Sequence, residues 1–333
     1  MGDRLYLGID LGTFQSTIAA SNGQGETVET IVGKPKDPIA RNFLKRDTLF
    51  GADALKNKLA CNLYRPLAAG VAQDDENNLA AAKAFVTHLV ESVDPEEFDE
   101  VYGVICSPSH ISFVDKSNLV SILRGQVNAI MVASEPFAVA FGLEEIGGSI
   151  VVDIGAGTVD VARVYGTFPN EDDETSLETA GDWIDEELKI MVEKKYTGAQ
   201  LTKDMVRLWK EAGSYIGDDR EMIVELSVDG KKQVVDVGDL VGIACTNLVP
   251  HVVNAVKGII AGADPEYQPI MRNNIILSGG GSLIEGLADA VAEGLADIGD
   301  VSVWCAEDPI TKVATGALAL AEAMPDDQYT SIN

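Results

Sequence analysis

Two short segments of the chain repeat one pattern of hydrophobic and polar positions. Residues 5–20 (LYLGIDLGTFQSTIAA) and 149–164 (SIVVDIGAGTVDVARV) each begin with an apolar, strand-forming run that ends in an aspartate. A turn containing glycine follows, and then a second apolar run. The two aspartates, Asp10 and Asp153, are 143 positions apart. The repeat predicts two related halves facing a cleft, each with a carboxylate and a turn rich in N–H groups that suit a nucleotide phosphate and its metal ion.

The rest of the chain alternates strand-like apolar runs with apolar residues at helical spacing, which is typical of an α/β fold. Helices are predicted over 77–92, 115–127, 137–143, 182–195, 239–260 (which contains Pro250) and 310–324. Two more are predicted, one that passes through 210–211 and one that follows the glycine run at 279–281 and ends at about 295. Strands are predicted over 101–106, 129–133, 221–228, 231–237 and 274–277. Asp229-Gly230 marks a hairpin turn. The less regular stretch at 34–63 and the segment at about 182–240, which contains the predicted hairpin, are predicted to be small insertions.

The charge balance restricts the partners of the chain. Its 333 residues are enough for two compact domains, and a hydrophobic fraction of 46% is enough for a substantial core. The chain carries 25 basic and 53 acidic side chains, which give a net charge of −28. This excess opposes general binding to nucleic acid or anionic lipid. A local basic cluster comprises Lys34, Lys36, Arg41, Lys45 and Arg46. The acidity fits either an ordinary cytoplasmic protein or one adapted to a high-salt cytoplasm.

The cysteines and the N-terminus indicate a reducing, cytoplasmic setting. Four widely separated cysteines without Cys-x-x-Cys spacing predict neither a zinc site nor a disulfide framework. His88, His110 and His251 are not close in sequence to other ligand types. The chain enters its first strand with no signal peptide or amphipathic anchor helix, and no apolar run is expected to cross a bilayer. We therefore expect no membrane anchor.

Five motifs in a fixed order give the chain its strongest likeness to a known family. They are DLGTFQST, SEPFAVAFGL, DIGAGTVD, LSGGGSLIEGL and DPITKVATGALALAEA. A single Asp-x-Gly turn or a single glycine run is common, but this order over nearly the whole chain resembles the actin superfamily. Among its members, the chain is most similar to prokaryotic actin-like filament proteins of the MreB/MamK branch.

The resemblance implies an actin-like ATPase fold, with two duplicated ribonuclease-H-like domains, four subdomains and an ATP cleft between the domains. Domain I would span 1–145, with an insertion at about 34–63 and the last helix, 310–333, packed back on it. Domain II would span 146–309, with an insertion at about 182–240. The resemblance also implies a head-to-tail homopolymer that hydrolyses ATP to ADP to control its turnover, for positioning, segregation or shape. Cargo or adaptor proteins would be further partners, with no direct binding of nucleic acid.

The resemblance assigns catalytic roles to three acidic residues. Asp10 and Asp153 would hold Mg²⁺, largely through water, because Mg²⁺ keeps several waters beside one or two carboxylates. Glu135 would position or activate the attacking water. Glu-Pro is also a common helix opening, so Glu135 has a purely structural alternative.

The remaining predicted site residues bind the nucleotide. The β- and γ-phosphates would contact backbone N–H groups of Gly12, Thr13, Phe14 and Gln15, and of Gly155, Ala156, Gly157 and Thr158, and the hydroxyls of Thr13, Ser16 and Thr158 could add donors. The nucleoside would contact Gly181, Lys210, Glu211, Gly279, Gly280, Gly281 and Ser282. Lys210-Glu211 also fits a solvated helix face, where charge pairs are common.

Two other functions remain open on the sequence alone. A small-molecule kinase of the same superfamily, acting on a sugar-type substrate, would need a base for the acceptor hydroxyl and usually larger insertions, and neither is evident. A non-polymerising, nucleotide-dependent adaptor related to chaperone ATPases is the second alternative. Chaperones of that type have a peptide-binding domain after the ATPase, for which this sequence leaves no room.

Overall fold

The computed structural model describes residues 3–68, 71–72, 75–109 and 112–332, and the chain forms two compact units. Unit 1 comprises Met1–Ile146 and Ile310–Asn333, and unit 2 comprises Gly147–Pro309. The chain therefore returns to unit 1 after completing unit 2. His110, considered above as a ligand, lies outside the described residues.

The first part of unit 1 contains ten strands and five helices within its described residues. The strands are β1 (Arg4–Leu11), β2 (Gln15–Ala20), β3 (Gly25–Glu29), β4 (Val32–Pro35), β5 (Leu49–Phe50), β6 (Cys61–Tyr64), β7 (Leu67–Ala68), β8 (Val71–Ala72), β9 (Glu100–Ser107) and β10 (Ala129–Ser134). The helices are α1 (Pro38–Leu44), α2 (Gly51–Lys56), α3 (Glu76–Glu91), α4 (Phe113–Leu123) and α5 (Glu135–Gly142).

Unit 2 contains eight strands and six helices. The strands are β11 (Ser149–Ile154), β12 (Val159–Val164), β13 (Glu174–Leu177), β14 (Ala199–Gln200), β15 (Ile223–Val228), β16 (Lys231–Asp236), β17 (Ile275–Ser278) and β18 (Val303–Cys305). The helices are α6 (Gly181–Lys195), α7 (Lys203–Gly213), α8 (Gly238–Thr246), α9 (Val249–Ala261), α10 (Gln268–Arg272) and α11 (Leu287–Gly294). Unit 1 then resumes with α12 (Lys312–Ala323) and β19 (Thr330–Ser331).

The main sheet of unit 1 has the strand order β19-β10-β9-β1-β2-β3. Strands β1, β9 and β10 are parallel, whereas β2 returns antiparallel to β1. Alternate residues of β1, from Leu5 to Leu11, point into a core with α3 and α4. Gly8 lies on the opposite face, where a Cβ would come within 2.1 Å of the Ala314 carbonyl of α12. The sheet is therefore covered by helices on both faces, with Asp10 on the α12 face.

The main sheet of unit 2 has the order β13-β12-β11-β17-β18. As in unit 1, its first two strands form an antiparallel hairpin, and its first strand also pairs in parallel with a later one, β17. The predicted strand-turn-strand repeat is therefore confirmed in both units. The two insertions contain separate three-stranded sheets, β5-β4-β6 and β14-β15-β16. The predicted turn at Asp229-Gly230 joins β15 to β16, with φ of 50° and 74°.

The prediction of one helix over 239–260 is wrong. The chain forms two helices, α8 and α9, which are separated at Asn247 and Leu248. Pro250 lies in the first turn of α9, where its missing N–H has no intrahelical partner to lose. Apolar spacing continues through the break because both helices bury residues in the core of unit 2, so periodicity did not reveal it.

The same segment also corrects the expectation that no apolar run could cross a bilayer. By length and composition alone, Gly238–Ala261 is long and apolar enough to do so. Its apolar residues, including Val241, Val252 and Val256, are buried in the core of unit 2. Core helices of folded domains pass the same test, so this segment is weak support for a membrane span.

Candidate functional site

Loop one, residues 12–15, follows Asp10 and links the hairpin strands β1 and β2. In this hairpin Asp10 lies opposite Thr17, and on its other side it pairs with Cys106 of β9. At Gly12, a Cβ atom would lie only 2.3 Å from the Gln15 carbonyl oxygen. A side chain at this position would therefore force the loop to change shape.

Loop one is fastened by Thr30, a buried residue just after β3. The Thr30 hydroxyl donates to the Gly12 carbonyl at 2.8 Å, and the Thr30 N–H donates to the Phe14 carbonyl at 2.7 Å. Since the C=O and N–H of a trans peptide point in opposite directions, the N–H groups of Thr13 and Gln15 point away from Thr30. The loop thus presents two N–H groups on one side.

Ser16 supports this arrangement from within the unit. Its hydroxyl lies 2.8 Å from that of Thr30 and is fully buried. Because the Thr30 proton goes to the Gly12 carbonyl, Ser16 donates to Thr30. This places Ser16 behind the loop, unlike the expectation that its hydroxyl would reach a phosphate.

Loop two, residues 155–158, is the matching turn of unit 2. The Gly155 N–H donates to the Thr158 carbonyl at 2.9 Å and closes the turn. The carbonyls of Gly155 and Ala156 accept from the N–H groups of Gly181 and Asp182, at 3.1 and 2.7 Å. By the same peptide geometry, the N–H groups of Ala156 and Gly157 point away from α6. Loop two therefore also presents two N–H groups, but a helix N-terminus orients them.

A cluster of four charged residues lies behind that helix N-terminus. The Lys210 ammonium of α7 donates to the Gly181 carbonyl at 2.8 Å and pairs with Asp185 at 2.7 Å. Arg207 of α7 pairs with Asp185 at 3.1 Å and with Asp182 at 2.5 Å. Asp185 is completely buried. The neighbouring Glu211 is exposed, although partial desolvation raises its pKa.

Asp153 lies in a more enclosed place than Asp10, with 5% of its surface exposed. In the sheet it is flanked by Asp160 of β12 and Ser278 of β17. Burial, together with the charge of Asp160, raises the pKa of Asp153 to about 7, against a partial opposing effect of the Ser278 hydrogen bond. Among the described residues, Asp153 Oδ1 has no hydrogen-bond partner.

These carboxylates fit a hydrated Mg²⁺. A cation near Asp153 and Asp160 would offset the cost of burying two neighbouring carboxylates in unit 2. Within the described part of the chain, no three His, Cys, Asp or Glu side chains come together as a ready metal cage. A site with one or two carboxylates suits an ion that keeps most of its waters and takes phosphate oxygens as further ligands.

Glu135 is the first residue of α5 and is 7% exposed. It follows Ser134, which pairs with Ser107 of β9, whereas Asp10 pairs with Cys106 of the same strand. Glu135 and Asp10 therefore lie at the same edge of the sheet, separated by two strand spacings, or about 10 Å. Helix α5 is fixed by α12, where a Cβ on Gly316 would lie 2.0 Å from the Ala138 carbonyl.

The glycine loop, residues 279–282, follows β17 directly beside Asp153. Gly279 has a φ of 75°, and a Cβ there would lie 2.5 Å from the Ile154 carbonyl. The Ser282 hydroxyl donates to the Gly279 carbonyl at 2.7 Å, so it closes the loop. A Cβ on Gly281 would come within 2.1 Å of the Ile154 side chain, whereas Gly280 faces open space.

The predicted site residues thus fall into two groups, each at one edge of one sheet. Unit 1 brings together Asp10, loop one and Glu135. Unit 2 brings together Asp153, loop two, the glycine loop and Gly181, with Lys210 behind Gly181.

Sequence reasoning missed four residues that shape these groups: Thr30, Asp160, Asp185 and Arg207. Asp160 had a signal, since it is a charged residue within an apolar strand at the position that Thr17 occupies in the first repeat. Arg207 lies three residues before Lys210, on the same helix face. Thr30 and Asp185 carry no signal, because their roles depend on contacts distant in sequence.

Comparison with known proteins assigns the chain to a family. A family model described as MreB/Mbl protein matches residues 4–328. The chain belongs to the MreB/Mbl protein family. It is 34% identical to actin-like protein MamK of Paramagnetospirillum magneticum, over 99% of this chain and 96% of that protein. It is 26% identical to the cell shape-determining protein MreB of Escherichia coli, over 93% of this chain and 91% of that one. The predicted place in the MreB/MamK branch is confirmed.

Solved structures of this family share the fold. The MamK double helical filament matches with a TM-score of 0.94 and 34% identity, covering 97% of this chain and 100% of that chain. A non-polymerising MamK mutant bound to AMPPNP matches over the same shares with a TM-score of 0.75. The predicted actin-like ATPase fold is therefore confirmed, and the chain is a MamK-like, actin-like cytoskeletal protein.

Proposed function

We propose that this MreB/Mbl family member polymerises with ATP and Mg²⁺ and hydrolyses ATP to control the turnover of its filaments. The observation that carries the proposal is the repeated site: each unit places a carboxylate at a strand end beside a turn with two N–H groups oriented together. Such turns bind anions, and the carboxylates suit the accompanying Mg²⁺. The MamK relatives support it, since one was solved as a filament and another with AMPPNP.

The phosphates and metal ion are assigned to the two loops and their carboxylates. Loop one and loop two donate N–H groups to the β- and γ-phosphates, and Asp10 and Asp153 hold Mg²⁺ largely through its waters. Bound Mg²⁺ would neutralise charge that develops on the phosphates. Asp160 adds a second carboxylate beside Asp153.

Glu135 is assigned to the attacking water. It needs only an ionised carboxylate within hydrogen-bond reach of that water. Its place at the start of α5, at the same sheet edge as Asp10, supports this role. The close packing of α12 on α5 fixes the helix that carries Glu135.

The nucleoside is assigned to unit 2. Gly280 is the accessible member of the glycine loop, and Gly279, Gly281 and Ser282 fix its shape. Gly181 lies beside loop two, at the start of α6, and is assigned to the ribose together with Glu211. The products would be ADP and phosphate.

The assembled state is a homopolymer made by head-to-tail repetition of one contact, which gives a filament when the repeat does not close. We place it in the cytoplasm, with cargo or adaptor proteins as further partners. Its cellular task is intracellular positioning, segregation or shape.

The test is sedimentation and negative-stain imaging with ATP and Mg²⁺, at low and at high KCl, with phosphate release measured in the same samples. Filaments in at least one salt condition, absent when EDTA removes Mg²⁺, are expected. A protein that stays monomeric in both and transfers phosphate to a sugar would instead be a kinase. Monomers that bind ATP without phosphate release or transfer would indicate the adaptor function.

A further inference from the structure

We propose that Lys210 is a positioning residue for phosphate binding and does not contact the nucleoside. Together with Asp185, it holds the first turn of α6, and that turn orients the N–H groups of loop two. The proposal rests on the ATP binding proposed above. It gives Lys210 a different role from the nucleoside contact predicted from the sequence.

The first step is the fastening of the helix N-terminus. The Lys210 ammonium is bound on one side by the Gly181 carbonyl and on the other by Asp185, and only 13% of its side chain is exposed. One of its protons is therefore donated to α6, and the ion pair with Asp185 holds its charge against the same helix. An ammonium held in this way is turned toward the helix, not toward a base or sugar.

The second step is the balance of charge in the cluster. Two carboxylates, Asp182 and Asp185, face two cations, Arg207 and Lys210, in three ion pairs of 2.5 to 3.1 Å. The free-energy cost of removing charges from water offsets most of the gain from their mutual attraction, so such a cluster adds little net stability. Its geometry, however, fixes α7 against the first two turns of α6.

The third step runs from α6 to the phosphate. Gly181 and Asp182 use their N–H groups to hold the Gly155 and Ala156 carbonyls. That contact sets the direction in which the Ala156 and Gly157 N–H groups point. If the first turn of α6 moves, both donors turn together, and the binding of phosphate weakens more than that of the nucleoside.

The experiment compares adenosine, AMP, ADP and AMPPNP as ligands of the full chain by calorimetry in the presence of Mg²⁺. We expect Lys210→Met to weaken ADP and AMPPNP binding by about tenfold or more, since a charged hydrogen bond and an ion pair are lost, while adenosine affinity changes less than about twofold. Lys195→Met is the matched control: Lys195 lies on the last turn of α6 in an exposed ion pair with Asp239. It should leave all four affinities unchanged.

A second variant guards against loss of folding in Lys210→Met. Asp182→Asn removes the negative charge of the partly exposed partner of Arg207 and should give the same phosphate-selective loss, smaller in size, with an unchanged circular dichroism spectrum. Lys210→Arg retains a cation and should recover part of the ADP affinity.

The outcomes separate this inference from the proposed function. An equal loss of adenosine and ADP affinity in Lys210→Met would mean direct contact with the nucleoside and would overturn the inference, while ATP binding would stand. Unchanged ADP affinity in both Lys210→Met and Asp182→Asn would overturn it as well. A wild-type chain that binds none of the four ligands would overturn the proposed function and the inference together.

Discussion

Asp10 and Asp153 occupy the same position in two copies of one hairpin, yet their surroundings differ. Asp10 lies between Thr17 and Cys106, and Asp153 lies between Asp160 and Ser278. The second site therefore has two neighbouring carboxylates where the first has one. Duplication kept the backbone and the aspartate at the end of the first strand, while the strand partner sets the electrostatics of each copy.

The two loops also differ in the groups that hydrogen-bond to their carbonyls and hold them in place. One threonine side chain and its own N–H hold the carbonyls of loop one, and the N-terminus of α6 holds those of loop two. Loop one thus depends on a single residue, whereas loop two depends on a helix and the charged cluster behind it. Substitutions in unit 1 should act locally, and those in unit 2 should act through α6.

The largest expected effect is on ATP hydrolysis, because the proposed general base belongs to unit 1 and unit 2 supplies none. Glu135→Ala should slow phosphate release by about 100-fold or more, as expected for loss of a general base. Assembly with ATP should persist, and filaments should disassemble more slowly. Phosphate release and sedimentation measured on the same sample test this. Glu322→Ala, an exposed site on α12, is the control, and a normal hydrolysis rate in Glu135→Ala would remove this residue from the mechanism.

The second prediction compares the glycines of the two loops. A Cβ at Gly12 would lie 2.3 Å from the Gln15 carbonyl, whereas one at Gly155 would lie 3.3 Å from the Thr158 carbonyl. Gly12→Ala should therefore weaken AMPPNP binding by about tenfold or more, because such a clash costs about 1–3 kcal/mol. Gly155→Ala should change it by about twofold. Equal effects of the two variants would show that the loops tolerate side chains alike.

The sequence predicts more of the fold than of the supports behind the site. Repeated apolar runs ending in Asp10 and Asp153 reveal both hairpins, because alternation in a strand is local. The fastening by Thr30 depends on the return of β3 beside loop one, and the ion pairs of Asp185 depend on α7 packing against α6. Such contacts join residues distant in sequence, so no spacing reports them. The break before Pro250 is hidden because both helices share one buried face.

The third prediction tests the dependence of loop one on a single side chain. Thr30→Val keeps the shape of the residue but leaves the Gly12 carbonyl and the Ser16 hydroxyl buried without this partner. The free energy of unfolding should fall by about 1–3 kcal/mol, and ADP affinity should fall several-fold. Denaturant unfolding and calorimetry measure the two effects. Thr30→Ser keeps the hydroxyl and should restore most of the affinity, and a failure to do so would assign the effect to packing.

The smallest effect concerns the stability of the metal-free protein. Burial and Asp160 raise the pKa of Asp153 to about 7, above the 3.8 of an ordinary aspartate. Between these values the folded state keeps a proton that the unfolded chain has lost, so the wild-type free energy of unfolding falls as pH rises through this window. Asp153→Asn removes that dependence.

In EDTA at pH 8, Asp153→Asn should therefore melt a few degrees above the wild type, at about 2–4 °C per kcal/mol, and this gain should shrink as the pH falls toward 4. Asp10→Asn should show no comparable gain, because a threonine and not a carboxylate lies opposite Asp10. Adding Mg²⁺ with ADP should reverse the order of Asp153→Asn and the wild type, since the ion stabilises more strongly the chain that retains Asp153. An equal gain in both variants would mean that Asp160 does not distinguish the two copies. The cost of burying Asp153 would then be a general property of the hairpin.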